Sequence, residues 1–598
     1  MPEAKYFDRI SCGLSTLSGQ RRLTGTLATV LVCCLANVPL PAAAQSASEI
    51  TASTFAPDAQ RLTGAVVFSG ERGTKAPEGS EKLLINLSGV TINGGLPEMA
   101  AANATVRARL SGKTISVAEI FNATADLENA YAQAGFVLAR IVLPAQELRD
   151  GGRLRIEVID GFVETVDTSK VPEPVRGRIA KITDPLVGQR SLRLPELERQ
   201  LLLAGDTYGV ALGSALAAGA TPGGASLILQ PEFRPVTGFF AFDNANSDEL
   251  GPLTLSAGIE VNSPLNMGET FYGRFSGAPS GDNENNLGSV FSSDPRVRTL
   301  SVGTVFPLGL DGLTLNLELT DSRTAPDTLI APSTSRFKRG SARLFYPFVR
   351  SRNRNISGQL TLDKQTDEQF LVAPSGGRAP IYKDNATVIR AAVDGFWLTE
   401  GGSAFEAGAV LSRGIDALGA RTATEVGAGT PLSRQGADAE FTKLIVSGRL
   451  RQKINENFNF SLSGRAQTSF GDPLLTGEQF GIAGGQELSA FDAGTIKGDS
   501  GFVARAEVSA PRQANFGKTP LLISPYIFAA YGDVSLEQPT AQETADLSAT
   551  SYGIGVEFNT LSKSNFRSAT VRIEYARGTR DDDQPDNNRF SISSSFRF

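Results

Sequence analysis

From Pro235 to Phe598 the sequence is a long series of short segments in which apolar and polar residues alternate, with no helical period between them. In Ser551–Phe558, residues Tyr552, Ile554, Val556 and Phe558 face one way, and Gly553, Gly555 and Glu557 face the other. Ala569, Val571, Ile573 and Tyr575 likewise oppose Thr570, Arg572 and Glu574, and Phe502, Ala504, Ala506 and Val508 oppose Arg505 and Glu507. A period of two is the signature of a β-strand with two unlike faces. In a soluble sandwich the charged positions would have to be buried unpaired, which is costly. With lipid against the apolar face and water against the other, the pattern is satisfied. Lipid offers no hydrogen-bond partner to an open sheet edge, so such a sheet must close into a barrel. Each segment is near the roughly 9–11 residues that cross an outer membrane.

The connections carry a second signal. Counting from Val236–Asp243, about sixteen strands follow, and bacterial barrels use an even number. Short links (Ser263–Gly268, Pro307–Gly312, Val349–Arg354, Thr399–Gly402, Gln452–Asn457) alternate with long ones (Gly277–Pro295, Asp321–Ser335, Asp363–Asn385, Asp416–Ala437, Phe470–Asp499). That is the asymmetry of periplasmic turns and external loops. An even count leaves both ends of the barrel in the periplasm. The last segment, Phe590 to Phe598, ends on Phe596 and Phe598, which are expected both to meet lipid and to act as an assembly signal.

Composition narrows the chemistry. The chain has no histidine, so Ser-His triads and histidine-zinc sites are excluded. Its three cysteines, Cys12, Cys33 and Cys34, precede the small-residue run Ala42-Ala43-Ala44. Arg21 and Arg22, the apolar run Leu27–Ala36 and that small-residue run read as a signal peptide over residues 1–44, with cleavage before Gln45. The expected mature protein therefore carries no thiol. No catalytic site, metal or cofactor is expected. With 63 acidic and 57 basic residues and no basic block, nucleic acid is not an expected partner.

Ahead of the barrel, residues 80–161 and 162–235 each read as a small α/β unit. In the first, Leu83–Leu87 is a predicted strand, and Ile120, Ala123, Leu127, Ala130, Tyr131 and Ala134 mark one helix face. Phe136–Leu143 and Arg153–Val158 follow as a strand pair around Asp150-Gly151-Gly152. In the second, Val163–Val166 is a strand and Leu194–Leu203 a helix. Gly209–Leu216 and Ala225–Phe233 form a hairpin. Residues 45–79 read as a linker or a short plug segment, since Pro57 and Pro77 oppose a long helix. Each unit offers a sheet edge able to accept an added strand.

The block Ala134-Gly135-Phe136-Val137, Leu143-Pro144-Ala145-Gln146-Glu147-Leu148, Gly151-Gly152 and Ile156-Glu157-Val158-Ile159-Asp160-Gly161 resembles the first polypeptide-transport-associated (POTRA) domain of the two-partner secretion transporters, the haemolysin secretion and activation proteins. Leu197 to Leu203, Gly209 and Leu216 resemble their second POTRA domain. Phe242-Asp243-Asn244 resembles the opening of their barrel, and Tyr346-Pro347-Phe348-Val349-Arg350 a strand end. The resemblance implies a transmembrane β-barrel (residues 236–598) in the Gram-negative outer membrane, with two POTRA domains in the periplasm. It also implies transport of an unfolded, haemolysin- or adhesin-like exoprotein to the cell surface, without nucleotide or proton gradient. Implied partners are that client, outer-membrane lipid, the barrel-assembly machinery and periplasmic chaperones. Client contact is expected on POTRA surfaces around Gly135, Phe136, Pro144, Gln146 and Gly161. Alternative functions are a barrel-assembly factor of the same superfamily and a solute-conducting pore. An outer-membrane hydrolase ranks last.

One motif departs from the family. Its long sixth external loop carries Val-Arg-Gly-Phe/Tyr, and the matching stretch here holds Gly484, Gly485, Ser489, Ala490 and Phe491, with serine in place of the arginine. The family's partner aspartate lies in Phe-x-Asp-x-Gly; here the residues are Phe528, Ala530 and Gly532. Both charges are missing together, which avoids leaving one ion alone in a confined site. Other contacts must hold the loop, or it is looser. The acidic cluster Asp581-Asp582-Asp583 with Asp586 is expected to be a solvated loop.

Overall fold

The computed structural model describes residues 46–51, 67–68, 76–279, 287–328, 332–373, 375, 377–426, 429–517, 519–562, 564–582 and 584–598. The expected signal peptide lies outside them. No helix among the described residues is long and apolar enough to cross a membrane. The membrane-scale element is a closed antiparallel barrel opened by Val236–Asp243 and closed by Asn587–Arg597. Two of its strand segments, Ser500–Ser509 and Arg512–Phe516, pair in succession with the same neighbour, Thr519–Ser535. They are parts of one wall strand, so the described residues form sixteen crossings.

The alternation seen in the sequence becomes an outer and an inner face. Ile554, Ile527 and Leu319 are 61%, 60% and 66% exposed and form part of a lipid-facing belt, whereas Arg505 and Glu574 are buried inside. Three strands are much longer than a bilayer requires: Ser333–Arg350, Arg354–Val372 and Arg378–Leu398, with 18, 19 and 21 residues. The expected long link Asp363–Asn385 is thus mostly ladder, paired from Asp363↔Val388 out to Val372↔Arg378 with one register shift between Gln369 and Phe370. The reason is solvent. Beyond the membrane the outer face of a strand meets water, so polar residues such as Lys364, Thr366 and Glu368 stand there opposite inward polar residues such as Asp367, and the hydrophobic alternation is lost while the backbone pairing continues. Cross-strand charges such as Lys383–Glu368 at 2.7 Å support this extension.

Closure depends on a short seam. The first and last strands share five register pairs, from Phe239↔Arg597 to Asp243↔Ser593. Gly238 and Phe598 add reciprocal backbone bonds of 3.1 Å below them. Above them Asn244 substitutes its side chain for a missing rung, accepting from Ile592 N–H (2.8 Å) and donating to Phe590 C=O (2.9 Å). Phe596 and Phe598 are 38% and 60% exposed on this seam.

Each periplasmic unit has its own core. In the first, the helices Ala100–Leu110 and Val117–Gln133 cover a sheet whose order is Gly89–Asn93, Arg153–Ile159, Arg140–Val142. The strand expected over Phe136–Leu143 shrinks to Arg140–Val142, because Gly135 takes φ +97° and the chain turns through Phe136–Ala139. The helix Ala100–Leu110 was not predicted; its small residues lack a marked apolar stripe. In the second unit the helices are Glu173–Thr183 and Leu194–Gly205. Its sheet runs Val67–Phe68, Val210–Ala218, Gly224–Phe233, Phe162–Asp167.

This second unit is fastened to the barrel's periplasmic turns. Arg350 grips Asp206 with two bonds of 2.6 and 2.8 Å, Arg352 meets Glu198 at 3.2 Å, and Arg178 donates to Gly309 C=O at 2.9 Å. Burial raises the Glu198 carboxyl above the usual range, and Arg352 partly offsets that. The segment Tyr346–Arg350 is therefore a docking point for the second unit.

If the outer belt meets lipid, Ile554→Arg near the middle of its strand should lower stability by about 2–4 kcal/mol. Urea titration of the barrel refolded in phosphatidylcholine bilayers reads this directly; a loss near zero would place that face elsewhere.

Candidate functional site: the lumen and its infolded loop

The wall strands present paired charges to the interior. Arg274 meets Glu260 at 2.6 Å, Arg343 meets Glu318 at 3.1 Å, and Arg572 meets Glu507 at 2.7 Å. A charge inside a barrel is retained when an opposite charge elsewhere on the wall compensates it. Beside the Arg572–Glu507 pair, on the side of the last wall strands, a cavity of about 180 Å³ is lined by residues including Arg449, Arg451, Glu507, Tyr526 and Arg572.

The loop between Asn459–Thr468 and Ser500–Ser509 folds into this interior. Its base is pinned by Glu478, which is 1% exposed. Glu478 receives Arg390 at 2.6 Å, Lys443 at 2.8 Å and the Gln365 amide at 2.5 Å. Asp499, at the other end, pairs with Arg434 at 2.8 Å. A two-residue ladder of Phe480–Gly481 with Lys497–Gly498 then carries the loop inward. Gly484 has φ +86°, and a Cβ there would lie 2.7 Å from the Ala493 backbone, so the return of the chain requires glycine.

The tip, Ser489-Ala490-Phe491, meets the wall around Phe528 and Ala530; all but Ser489 belong to one apolar cluster with Ile482, Leu488 and Ala576. The wall provides a notch for it: a Cβ on Gly578 would lie 2.6 Å from the Phe491 ring and 2.7 Å from Ala490. Gly532 provides similar space for Ile482.

No loop arginine reaches the wall at Ser489; instead, the wall supplies the charge pair itself. Arg505, directly opposite Ala530 in register, lies 3.5 Å above the Phe528 ring and pairs with Glu574 at 2.7 Å. Ser489 joins this pair through its hydroxyl, which bonds to the Glu574 carboxylate and accepts from Arg505 at 3.3 Å. Tyr526 donates to Glu574 at 2.8 Å, and Ala490 N–H donates to Ser551 at 3.2 Å. Asp492 pairs with Arg589, and Ala493 N–H donates to Ala245 C=O at 3.2 Å, which ties the loop to both sides of the barrel seam. The loop is therefore anchored. The two substitutions relative to the family pattern coincide with a serine–arginine–glutamate contact in place of an arginine–aspartate pair.

A short helix, Ala47–Ile50, sits in the external end of the lumen. Ala47 N–H donates to Ser335 at 3.1 Å, Ser48 donates to Asp367 at 2.6 Å, and Glu49 pairs with Lys497 of the infolded loop. Ile50 packs against Leu250, Ala278 and Val297.

The first-unit residues around which client contact is expected make the following contacts within the fold. Phe136 is 3% exposed and packs within the core. Gly135 C=O accepts Leu194 N–H at 2.8 Å, and a Cβ on Gly161 would lie 2.0 Å from Leu138 C=O, so both glycines shape the junction between the units. Gln146 pairs through its amide with the Arg155 backbone at 2.8 and 2.7 Å, capping the sheet, and also donates to Pro144 C=O. Of the acidic cluster, Asp582 pairs with Arg580 and Asp586 with Arg577. Asp583 lies outside the described residues. Sequence reasoning missed Glu478, Arg390 and Lys443; inward-facing charge was the available signal, but their partners are 35 to 88 residues away.

A sixteen-crossing barrel, an infolded loop and two periplasmic repeats define an outer-membrane barrel protein of the POTRA-bearing class. A model of the haemolysin secretion/activation protein ShlB/FhaC/HecB family matches residues 227–558, and the ShlB-type POTRA domain matches residues 88–161. The chain belongs to that haemolysin secretion/activation protein family. It is 24% identical over 160 residues to the heme/hemopexin transporter protein HuxB of Haemophilus influenzae, covering 26% of this chain and 28% of that protein. It is 22% identical over 387 residues to the outer membrane transporter CdiB of Dickeya dadantii, covering 64% of this chain and 65% of that one. The curated relatives are thus matched over less than two thirds of their own length. Among solved structures, CdiB from Escherichia coli aligns with a TM-score of 0.62 at 18% identity, covering 88% of this chain and 92% of that one, which shows the shared fold.

Two outcomes follow for the loop. Arg505→Ala should cost about 3 kcal/mol by removing the nearer of the two guanidinium partners of buried Glu574, with only Arg572 at 3.3 Å left. A double-mutant cycle with Glu574→Ala should return a coupling of about 1–3 kcal/mol in denaturant unfolding; additive effects would mean that the pair does not act as a unit. Separately, Glu478→Gln should expose the 469–499 loop to protease added outside intact cells, whereas the parent chain resists cleavage.

Proposed function

We propose that this protein binds an unfolded partner exoprotein in the periplasm and passes it through the barrel to the cell surface. The observation that carries this reading is the placement of the second POTRA unit. It is bolted by Arg350–Asp206 and Arg352–Glu198 directly beneath a lumen in which charges of both signs are paired, as in Arg343–Glu318 and Arg572–Glu507. A conduit that carries charges of both signs suits a polypeptide of mixed composition. The infolded loop and the Ala47–Ile50 helix close the resting path. Family membership and the names of the relatives support the same direction.

The remaining partners are part of the proposal. Lipid contacts the Ile554 belt, and the barrel-assembly machinery takes up the last strand with Phe596 and Phe598. Periplasmic chaperones keep both the nascent barrel and the client unfolded. The protein acts as a transporter and performs no catalysis.

Deleting the gene should remove one exoprotein from the cell surface, leaving its N-terminal region in the periplasm, while other outer-membrane barrels keep their levels. Surface immunoblotting with a barrel inventory checks this. A general fall in barrels would favour an assembly factor. Unchanged surface proteins, with solute conductance in planar bilayers, would favour a pore.

A further inference from the structure

The outer wall changes character on one side of the barrel. Across Val297–Pro307, Thr314–Thr324, Ser333–Arg350 and Arg354–Val372, the register sets outward residues in rungs. One rung is Val302, Leu319, Gly340 and Lys364; the next towards the exterior is Leu300, Asp321, Lys338 and Thr366. These residues line an open groove of about 490 Å³ on the outside of the wall.

One flank of the groove is apolar, with Leu300, Val302 and Leu319 exposed. Gly340 opens its floor. A Cβ there would lie 3.5 Å from Leu319 Cδ2, an ordinary contact, so no clash imposes the glycine. The upper rim is cationic. Lys338 has no ion-pair partner among the described residues, and Lys364 donates to the Leu418 carbonyl. The neighbouring acids are engaged elsewhere: Asp321 pairs with Arg323 at 3.2 Å and Glu368 with Lys383 at 2.7 Å. Arg336, in register with Glu368 one rung further out, adds a third cation.

The height of this rim follows from the strand. Lys338 lies ten residues from exposed Phe348, which adjoins the turn that meets the second POTRA unit. A tilted strand leaves hydrocarbon after about 9–11 residues, so Lys338 and Lys364 stand at the external membrane surface. Beside the seam the outward face differs. Tyr531, Tyr552 and Tyr575 are exposed there, and Arg577 is paired with Asp586 at 2.9 Å. Interfacial tyrosines suit any bilayer. Unpaired lysines above an apolar groove suit an anionic lipid.

We propose that this groove binds a phosphorylated, acylated glycolipid of the outer leaflet. An acyl chain lies against Leu319 and Gly340, and a phosphate sits between Lys338 and Lys364. The two lysines are diagonal neighbours on adjacent strands, about 7–8 Å apart at the backbone, so their long arms reach one phosphate. Ammonium groups hold phosphate oxygens through charge-assisted hydrogen bonds. The bound lipid ties two of the long external strands to the leaflet. It lies on the opposite face of the wall from the lumen, so the site is independent of the transport reading.

Folded full-length protein in dodecylmaltoside, mixed separately with equimolar lipid A, dephosphorylated lipid A and phosphatidylglycerol, provides the test by native mass spectrometry. Lipid A should occupy the parent protein in preference to the other two. K338E/K364E should lower that occupancy about tenfold or more, and G340L, which fills the groove with both lysines intact, should lower it as well. R577E, at the rim beside the seam, should leave it unchanged. Heat-modified gel mobility confirms that each variant barrel is folded. Occupancy that survives K338E/K364E or G340L, or that falls equally with R577E, overturns the proposal. So does equal occupancy by phosphatidylglycerol or by the dephosphorylated lipid.

Discussion

Every other feature of this molecule depends on satisfying backbone hydrogen bonds where water is absent. In hydrocarbon an unpaired N–H or C=O costs several kcal/mol, so the sheet has to close on itself. Closure here comes down to five register pairs between the first and last strands, with Gly238, Phe598 and Asn244 adding bonds at either end. That seam is short compared with the nineteen-pair ladder between Arg354–Val372 and Arg378–Leu398. The infolded loop reaches the same place, through Asp492–Arg589 and Ala493–Ala245, so loop position and barrel closure share contacts.

Inside, the governing rule is that buried charges are retained only in company. Glu478 is surrounded by Arg390, Lys443 and Gln365, and Glu574 by Arg505, Tyr526 and Ser489. The second cluster explains how the loop can lack its family arginine. The guanidinium comes from the wall strand facing Ala530, and the loop needs only a hydroxyl to join it. Replacing a charge pair across a loop–wall interface by a pair within the wall keeps every ion compensated and still orders the tip, whose apolar half, Ala490 and Phe491, fits the Gly578 notch.

Much of this was legible beforehand. Period-two alternation identified the barrel and which face meets lipid, as Tyr552, Ile554 and Arg505 illustrate, and the Gly484 to Phe491 stretch could be matched to the segment around Phe528 and Ala530. Alternation failed where polar residues lay on both sides of a strand, so the ladder from Asp363 to Val372 read as loop. The helix Ala100–Leu110 was missed because its small residues carry no marked apolar stripe, whereas Glu173–Thr183 was missed although Val175, Ile179 and Ile182 form one at helical spacing. Phe136 looked like a surface residue because a motif shows which residues recur and not which way they point.

The sequence by itself determined the class of structure, because apolar-polar alternation with charges on one face over about sixteen segments fits a wet-lumened barrel, and turn residues set the rhythm of its strands. Only the tertiary structure decided which charges meet, since Arg390 and Glu478 lie 88 residues apart and are brought together by curvature and strand register. The same holds for Val67–Phe68 on the edge of Val210–Ala218. Strand addition is written in backbone hydrogen bonds, which every residue but proline carries, and so leaves almost no mark in the side-chain pattern.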